Sequence, residues 1–225
     1  MRLILFDIDG TLIKCGIQVK GIFSSALVEV FGQTGDLDGY SFSGKIDTQI
    51  VFDLQEGAGL TRPQVAEKLP LFKEVYIDRL ERDLDGSKMI ELPAVPDLLD
   101  TLAERDDVTL GLLTGNWEEG ARVKLSRFEL NHFFPFGAFG DGQLERTDLP
   151  PVALEKARQY TGREFETDDT VIVGDSILDV AAAQAHGIMS VAVATGWTPA
   201  VKLESAGADR VIPSLEHFDD LDLGL

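Results

Sequence analysis

The sequence predicts an α/β protein: a doubly wound parallel sheet with an all-helical module inserted after its first strand. Three observations carry this. Four short apolar runs, LILFDIDG, VTLGLLTGN, TVIVGDSILD and SVAVATGW, are rich in Leu, Ile and Val without strict alternation, as strands buried on both faces are. Each run stops in a small, polar or acidic turn, and helical patterns lie between the runs. Residues 17–84 break this rhythm and contain no convincing strand.

Taken in order, Leu3 to Phe6 form the first strand, which ends in Asp7 and Asp9. Within the interruption, Ile22, Phe23, Ala26, Leu27, Val30 and Phe31 make one helical stripe, and Ile46, Ile50, Val51 and Leu54 a second. Val65, Leu69, Phe72, Tyr76 and Leu80 make a third, with Pro70 read as a kink or break. The glycine-rich stretch GQTGDLDGYSFSGK joins the first two stripes. Leu98, Leu99 and Leu102 fit a helix before the second strand, and Trp117, Ala121, Leu125 and Phe128 fit one after it. Ile177, Val180, Ala181 and Ala185 fit a helix after the third strand, which Gly187 is placed to stop. Residues 209–213, DRVIP, read as a further strand, and the tail HFDDLDLGL as a solvated end. The expected organisation is a core of residues 1–15 and 86–225 with a helical module at 16–85.

Composition narrows the function. The chain has 225 residues and a net charge of −19, which argues against nucleic-acid or anionic-membrane partners, since both need basic patches. Cys15 is the only cysteine, so no intramolecular disulfide forms; it reads as a small residue packed near a strand end rather than a reactive thiol. The opening apolar run is too short for a signal peptide and is interrupted by Asp7, and no run approaches the ~20 apolar residues of a membrane span. A soluble cytoplasmic protein is the expectation.

In open parallel sheets, ligands bind beyond the carboxyl ends of the strands. If these strands are neighbours, their turns bring together Asp7, Asp9, Thr11, Thr114, Asn116, Asp175, Ser176 and Asp179. Such a carboxylate cluster repels itself unless a cation sits in it, and oxygen donors suit a hard divalent ion, Mg2+ being the usual one in phosphate chemistry. The competing reading makes Asp175 or Ser176 a helix N-cap. Two carboxylates in one turn also divide labour: one can attack phosphorus and the other can carry the proton. The turn LLTGN supplies a hydroxyl and free amides for a phosphate.

DIDGT, LLTGN and VIVGDSILD resemble, in order and spacing, motifs one, two and four of the haloacid dehalogenase-like (HAD) hydrolase superfamily. The helical insertion resembles the C1 cap of its phosphoglycolate phosphatase-like branch. The resemblance spans essentially the whole chain and implies a Rossmann-like core, a cap domain, and Mg2+-dependent hydrolysis of a small phosphorylated metabolite through an aspartyl-phosphate. It makes Asp7 the nucleophile and a metal ligand. Asp9 becomes the general acid/base, with its backbone carbonyl on the metal. Thr114, flanked by Gly115 and Asn116, becomes the phosphate-binding hydroxyl. Asp175 becomes a metal ligand, and Asp179 a ligand or a water-mediated partner of one. The dehalogenases lack an acid two residues after the nucleophile, so Asp9 favours phosphoryl transfer. Motif three departs from the pattern: in ERTDLPPVALEKA, Arg146 stands where lysine is expected, and Lys156 is the competing candidate. A phosphomutase of the β-phosphoglucomutase type and a noncatalytic ligand-binding relative are the alternatives.

Other motifs carry less. GYSFSGKI nearly matches a P-loop, but Ile46 stands where Ser or Thr must hold Mg2+, and no apolar strand precedes it. Lys45 is a candidate for the substrate's distal group, with an exposed lysine at a helix start as its alternative. Relatives that cleave carbon–phosphorus bonds use such a lysine to form an imine. Trp117 reads as packing on its helix's apolar face, and His132 as structural. His186 sits at a helix end, where it favours the dipole. His217 lies in the acidic tail. The histidines have no zinc spacing, and Asp36, Asp38 and DLDG at 83–86 are too sparse for a calcium loop.

Overall fold

The computed structural model describes residues 1–218. The chain runs β1 (Arg2–Phe6), β2 (Ile13–Lys14), α1 (Gln18–Phe31), α2 (Asp47–Gly57), α3 (Arg62–Asp83), β3 (Ile90–Glu91), α4 (Val95–Ala103) and β4 (Val108–Leu113). It continues with α5 (Glu118–Ser126), β5 (Gly137–Ala138), α6 (Leu149–Thr161), β6 (Thr170–Gly174), α7 (Ile177–Ala185), β7 (Met189–Val193), α8 (Ala200–Ser205) and β8 (Arg210–Ile212). Six strands pair in the order β5-β4-β1-β6-β7-β8, and every pairing is parallel.

β1 lies inside the sheet, and its last residue, Phe6, pairs with Leu112 on β4 and Val173 on β6. The turns after these three strands therefore open at one edge. Leu3 to Phe6 are fully buried, which is why the run shows no alternation. β5 was not among the expected strands. It is two residues long at the sheet margin, too short for any periodic pattern. The ribbon of β2 and β3 at the base of the helical module, two residues in each strand, is likewise too short to leave a pattern in the sequence.

The three helices between β2 and β3 pack around Phe23, whose ring meets Phe42, Phe72 and Tyr76 edge-on at 5.2, 5.0 and 5.0 Å. Trp117, which immediately precedes α5, adds its ring 6.0 Å from Phe72. Pro70 does not break α3, which runs unbroken for 22 residues. Proline removes one backbone donor, on an exposed side here, while Val65, Phe72, Tyr76 and Leu80 anchor the helix on both sides of it.

Three other expectations need correction. Periodicity places Ile46 on the stripe of α2, but it precedes that helix and packs with Leu3, Leu5 and Leu113 on the sheet. The buried face of α7 is Asp179, Val180, Ala182 and Ala183, whereas Ile177 is exposed. The helix turns its acidic residue inward, so a purely apolar periodicity selected the wrong face. Phe218 is not part of a solvated end: it is buried, and its ring lies 6.3 Å from that of Phe6. The remainder of that tail lies outside the described residues. Among the described residues, no helix is long and apolar enough to cross a membrane.

The segment entering α2 is tied to the turn after β4. Asp47 N–H donates to Gly115 O at 2.8 Å, and Thr48 Oγ1 donates to Gly140 O at 3.3 Å. The approach is so close that a Cβ at Gly115 would sit 2.1 Å from Lys45 O, so the motif-two glycine is a packing requirement. The start of α5 depends on this contact. Its N-cap is Trp117, which has no side-chain acceptor to offer. Two aspartates from elsewhere supply the acceptors: Asp47 Oδ2 takes Trp117 N–H at 3.0 Å, and Asp141 Oδ2 takes Glu118 N–H at 2.7 Å.

Two stability outcomes follow. Asp47→Ala removes a helix-terminus acceptor and is expected to cost about 0.5–2 kcal/mol in urea unfolding. Phe72→Ala empties the centre of the helical module and is expected to cost about 3–5 kcal/mol in the same measurement.

Candidate active site

β1, β4 and β6 deliver their polar turns to one place. Asp7 follows β1 directly, and its N–H still donates to Val173 O at 2.9 Å, so the sheet ladder orients its side chain. Asp7 is 4% exposed, and its Oδ1 lies 2.8 Å from Arg146 Nη2. Arg146 comes from the short 3-10 turn Arg146–Asp148 that leads into α6. It is also buried. Its Nε donates to Asp179 Oδ1 at 2.8 Å, and its terminal nitrogens donate to Gly44 O at 3.2 Å and Leu113 O at 3.3 Å. The guanidinium thus joins Asp7, α7, the end of β4 and the segment before α2.

Asp175 follows β6, and Asp179 lies in the first turn of α7. There it closes a capping box with Ser176, whose N–H donates to Asp179 Oδ2 at 3.0 Å. One carboxylate oxygen from each of Asp7, Asp175 and Asp179 lies within 4.8 Å of the others. Gly10 has φ +94°, and a Cβ there would meet an Asp175 carboxylate oxygen at 2.6 Å; only glycine lets the DIDGT turn pass so close.

The electrostatics follow from burial. Three carboxylates face one guanidinium. Burial raises Asp7 to about 6; Arg146 holds it down, and Asp179 pushes it up again. Asp175 is raised to about 8, first by burial and then by Asp7 and Asp179. It makes no ion pair with a basic side chain among the described residues.

Asp9 has a different setting. Its carboxylate stands outside the trio and keeps 39% of its side-chain surface exposed. Oδ2 accepts from Asn116 Nδ2 at 2.8 Å and from Lys124 Nζ at 2.6 Å. Burial alone would raise Asp9, but the Lys124 ammonium and these hydrogen bonds carry it below the ordinary carboxylate range. Asn116 is itself fixed: its Nδ2 also donates to Thr114 Oγ1 at 2.8 Å, and its Oδ1 accepts from Lys124 at 2.6 Å. Thr114 is fully buried and N–H-linked to β5 through Ala138 O at 3.0 Å.

The geometry therefore brings together Asp7, Asp175, Asp179 and Arg146, and beside them Asp9, Thr114, Gly115 and Asn116. Lys156 lies on the exposed face of α6, whereas Arg146 reaches Asp7. The Lys45 ammonium is turned onto Tyr40 OH at 2.6 Å and Asp53 Oδ2 at 3.0 Å, and it contacts none of the other candidate site residues. Cys15 is buried in the apolar core, and burial pushes its thiol up, as an inert cysteine requires. Lys124 was missed. The signal was present: it falls seven residues after Trp117, on the stripe shared with Ala121 and Leu125, where a lysine is out of place. Asp47 was missed because a carboxylate at a helix start reads as an ordinary cap.

Comparison with known proteins agrees with this arrangement. Residues 4–193 match the family model described as haloacid dehalogenase-like hydrolase. Phosphoglycolate phosphatase 1 of Pseudomonas aeruginosa is 28% identical over 224 residues, covering 96% of this chain and 78% of that protein. The phosphoglycolate phosphatase of Synechococcus elongatus is 27% identical over 216 residues, covering 94% and 92%. The crystal structure of a predicted phosphatase from Clostridium acetobutylicum superposes with a TM-score of 0.74 at 21% identity, covering 100% and 99% of the two chains. With its parallel sheet, its helical insertion and its carboxylate cluster at the strand ends, the chain belongs to the haloacid dehalogenase-like hydrolase family.

Proposed function

We propose that this hydrolase is a Mg2+-dependent phosphatase that cleaves a small phosphate monoester through an aspartyl-phosphate on Asp7. The observation that carries the reading is the pairing of Asp7 with Arg146 at 2.8 Å, beside the carboxylates of Asp175 and Asp179. A carboxylate that attacks phosphorus needs a cation next to it to bring an anionic phosphate close, and a guanidinium binds phosphate oxygens in a bidentate fork. The relatives named phosphoglycolate phosphatase support a small, acidic phosphate ester as substrate.

The donor set fits a divalent cation. All its members are oxygens, and Asp175 is buried with no basic partner among the described residues, so it is short of positive charge. Asp7, Asp175 and the backbone carbonyl of Asp9 would hold the ion, with Asp179 as a further ligand or a partner through water. When bound, it would neutralise the cluster and polarise a phosphoryl oxygen.

In this reading Arg146, the Thr114 hydroxyl and the amides of Gly115 and Asn116 hold the phosphoryl group. An Asp7 oxygen forms the bond to phosphorus as the ester oxygen departs with a proton from Asp9. Water then attacks the aspartyl-phosphate, gives its proton to Asp9 and releases phosphate. Asp9 is the more exposed carboxylate of the site, which lets it meet both the leaving group and the attacking water. Residues 16–85 act as a cap that excludes bulk water during the reaction. Lys45 serves the substrate's distal group only after leaving Asp53.

Purified protein with Mg2+ is expected to release phosphate from 2-phosphoglycolate and p-nitrophenyl phosphate. Asp7→Asn is expected to abolish turnover while the fold persists by circular dichroism. Unchanged activity in this variant would remove the nucleophile assignment.

The cluster also predicts a pH effect in EDTA. Asp7 at about 6 and Asp175 at about 8 both lie above their ordinary 3.8. The folded state therefore holds more protons than the unfolded chain across that window, and these groups withdraw stability as pH rises through it. Asp175→Asn removes one buried charge. Its melting temperature relative to the parent is expected to increase from pH 5 to pH 8, by about 2–4 °C per kcal/mol relieved. Added Mg2+ is expected to shrink the difference by stabilising the parent.

A further inference from the structure

A lysine in the middle of an apolar helical face needs a reason. Lys124 is 3% exposed and sits on α5 beside Ala121 and Leu125, both fully buried. Its ammonium reaches Asp9 Oδ2 and Asn116 Oδ1, each at 2.6 Å. Asn116 in turn donates to the same Asp9 oxygen at 2.8 Å. Three side chains close a triangle in which both donors converge on Oδ2, while the Asp9 side chain as a whole stays 39% exposed.

Stability alone is a weak reason for such a pair, because replacing buried ion pairs with apolar side chains of similar volume is often neutral or stabilising. A leucine or methionine at this position would continue the stripe. The triangle does something an apolar residue cannot: it holds one carboxylate oxygen of Asp9 in place by two donors. The turn after β4 supplies Asn116 and the helix that follows it, α5, supplies Lys124, so one continuous stretch of chain brings both to Asp9.

We propose that Lys124 is a positioning residue that, with Asn116, fixes the carboxylate of Asp9 for the attack of water on the aspartyl-phosphate. The inference rests on the phosphatase reading above. In that step the water oxygen bonds to phosphorus and the bond from phosphorus to the Asp7 oxygen breaks. The water proton passes to Asp9, and Asp7 returns to a free carboxylate. A loosely held Asp9 finds the water less often, while attack by Asp7 on an ester with a good leaving group is untouched.

This separation supplies the test. p-Nitrophenolate departs without a proton, so phosphorylation of Asp7 by p-nitrophenyl phosphate does not need Asp9, whereas the following hydrolysis does. With Mg2+ in stopped flow, Lys124→Met is expected to keep a nitrophenolate burst near one equivalent per enzyme. Its kcat falls about 10²-fold while kcat/KM changes less than about 3-fold. Lys124→Arg, which keeps the cation, recovers part of kcat. The double variant Asp9→Asn with Lys124→Met turns over no slower than Asp9→Asn alone, since Lys124 has nothing left to position. That comparison remains decisive if Lys124→Met by itself is unstable.

Burst amplitude and kcat/KM falling together with kcat would make Lys124 a structural residue and overturn the inference. So would a further loss in the double variant as large as that of Lys124→Met. A parent enzyme that turns over normally while Lys124→Met is unaffected removes this inference alone. A parent enzyme with no turnover removes the phosphatase reading and the inference with it.

Discussion

The ion pair between Asp7 and Arg146 is the contact on which the site is built. It joins the end of β1, one of the two central strands, to the turn before α6, and through the same guanidinium to Asp179, Leu113 and Gly44. A buried charge must be compensated or it opposes folding. Arg146 compensates only part of three carboxylates, and the residual negative charge is what suits the place to a cation. The protein thus carries a local deficit of stability at the point where chemistry is proposed, offset by the apolar sheet beneath it.

A second polar system, Asp9 with Asn116 and Lys124, lies beside the first and is physically distinct from it. The first is enclosed and short of positive charge. The second is partly exposed and holds a lysine. Two aspartates two residues apart in sequence are therefore pushed in opposite directions, Asp7 upward by burial and Asp9 downward by Lys124.

The helical module is joined to this machinery through backbone as well as side chains. Ile46 packs on the sheet, Asp47 completes the start of α5, and Gly115 leaves room for Lys45 O. The segment that begins α2 is thereby part of the wall over the strand ends. If residues 16–85 act as the proposed cap, such a wall limits what can reach Asp7. This contact explains why a glycine follows Thr114 without appealing to phosphate binding alone.

How much of this was legible in the chain depends on the range of the interaction. Burial on both faces removes alternation from a strand, so the runs around Leu3–Phe6, Leu112, Ile172 and Val191 declared a parallel sheet, and their polar ends declared Asp7, Thr114 and Asp175. Those are local signals, written in the residues themselves. The two-residue strands β2, β3 and β5 were not legible, because pairing partners define them and no pattern fits in so short a span. The apolar part of α7's inward face was not legible either: Ala182 and Ala183 are buried there and Ile177 is exposed, because the helix is turned to point Asp179 at Arg146, a partner 33 residues away. The choice of Arg146 over Lys156, the retreat of Lys45 onto Asp53 and the bond from Lys124 to Asp9 were all decided by the tertiary structure. Each depends on where a long, flexible cationic side chain finds its carboxylate, and sequence spacing does not encode that distance.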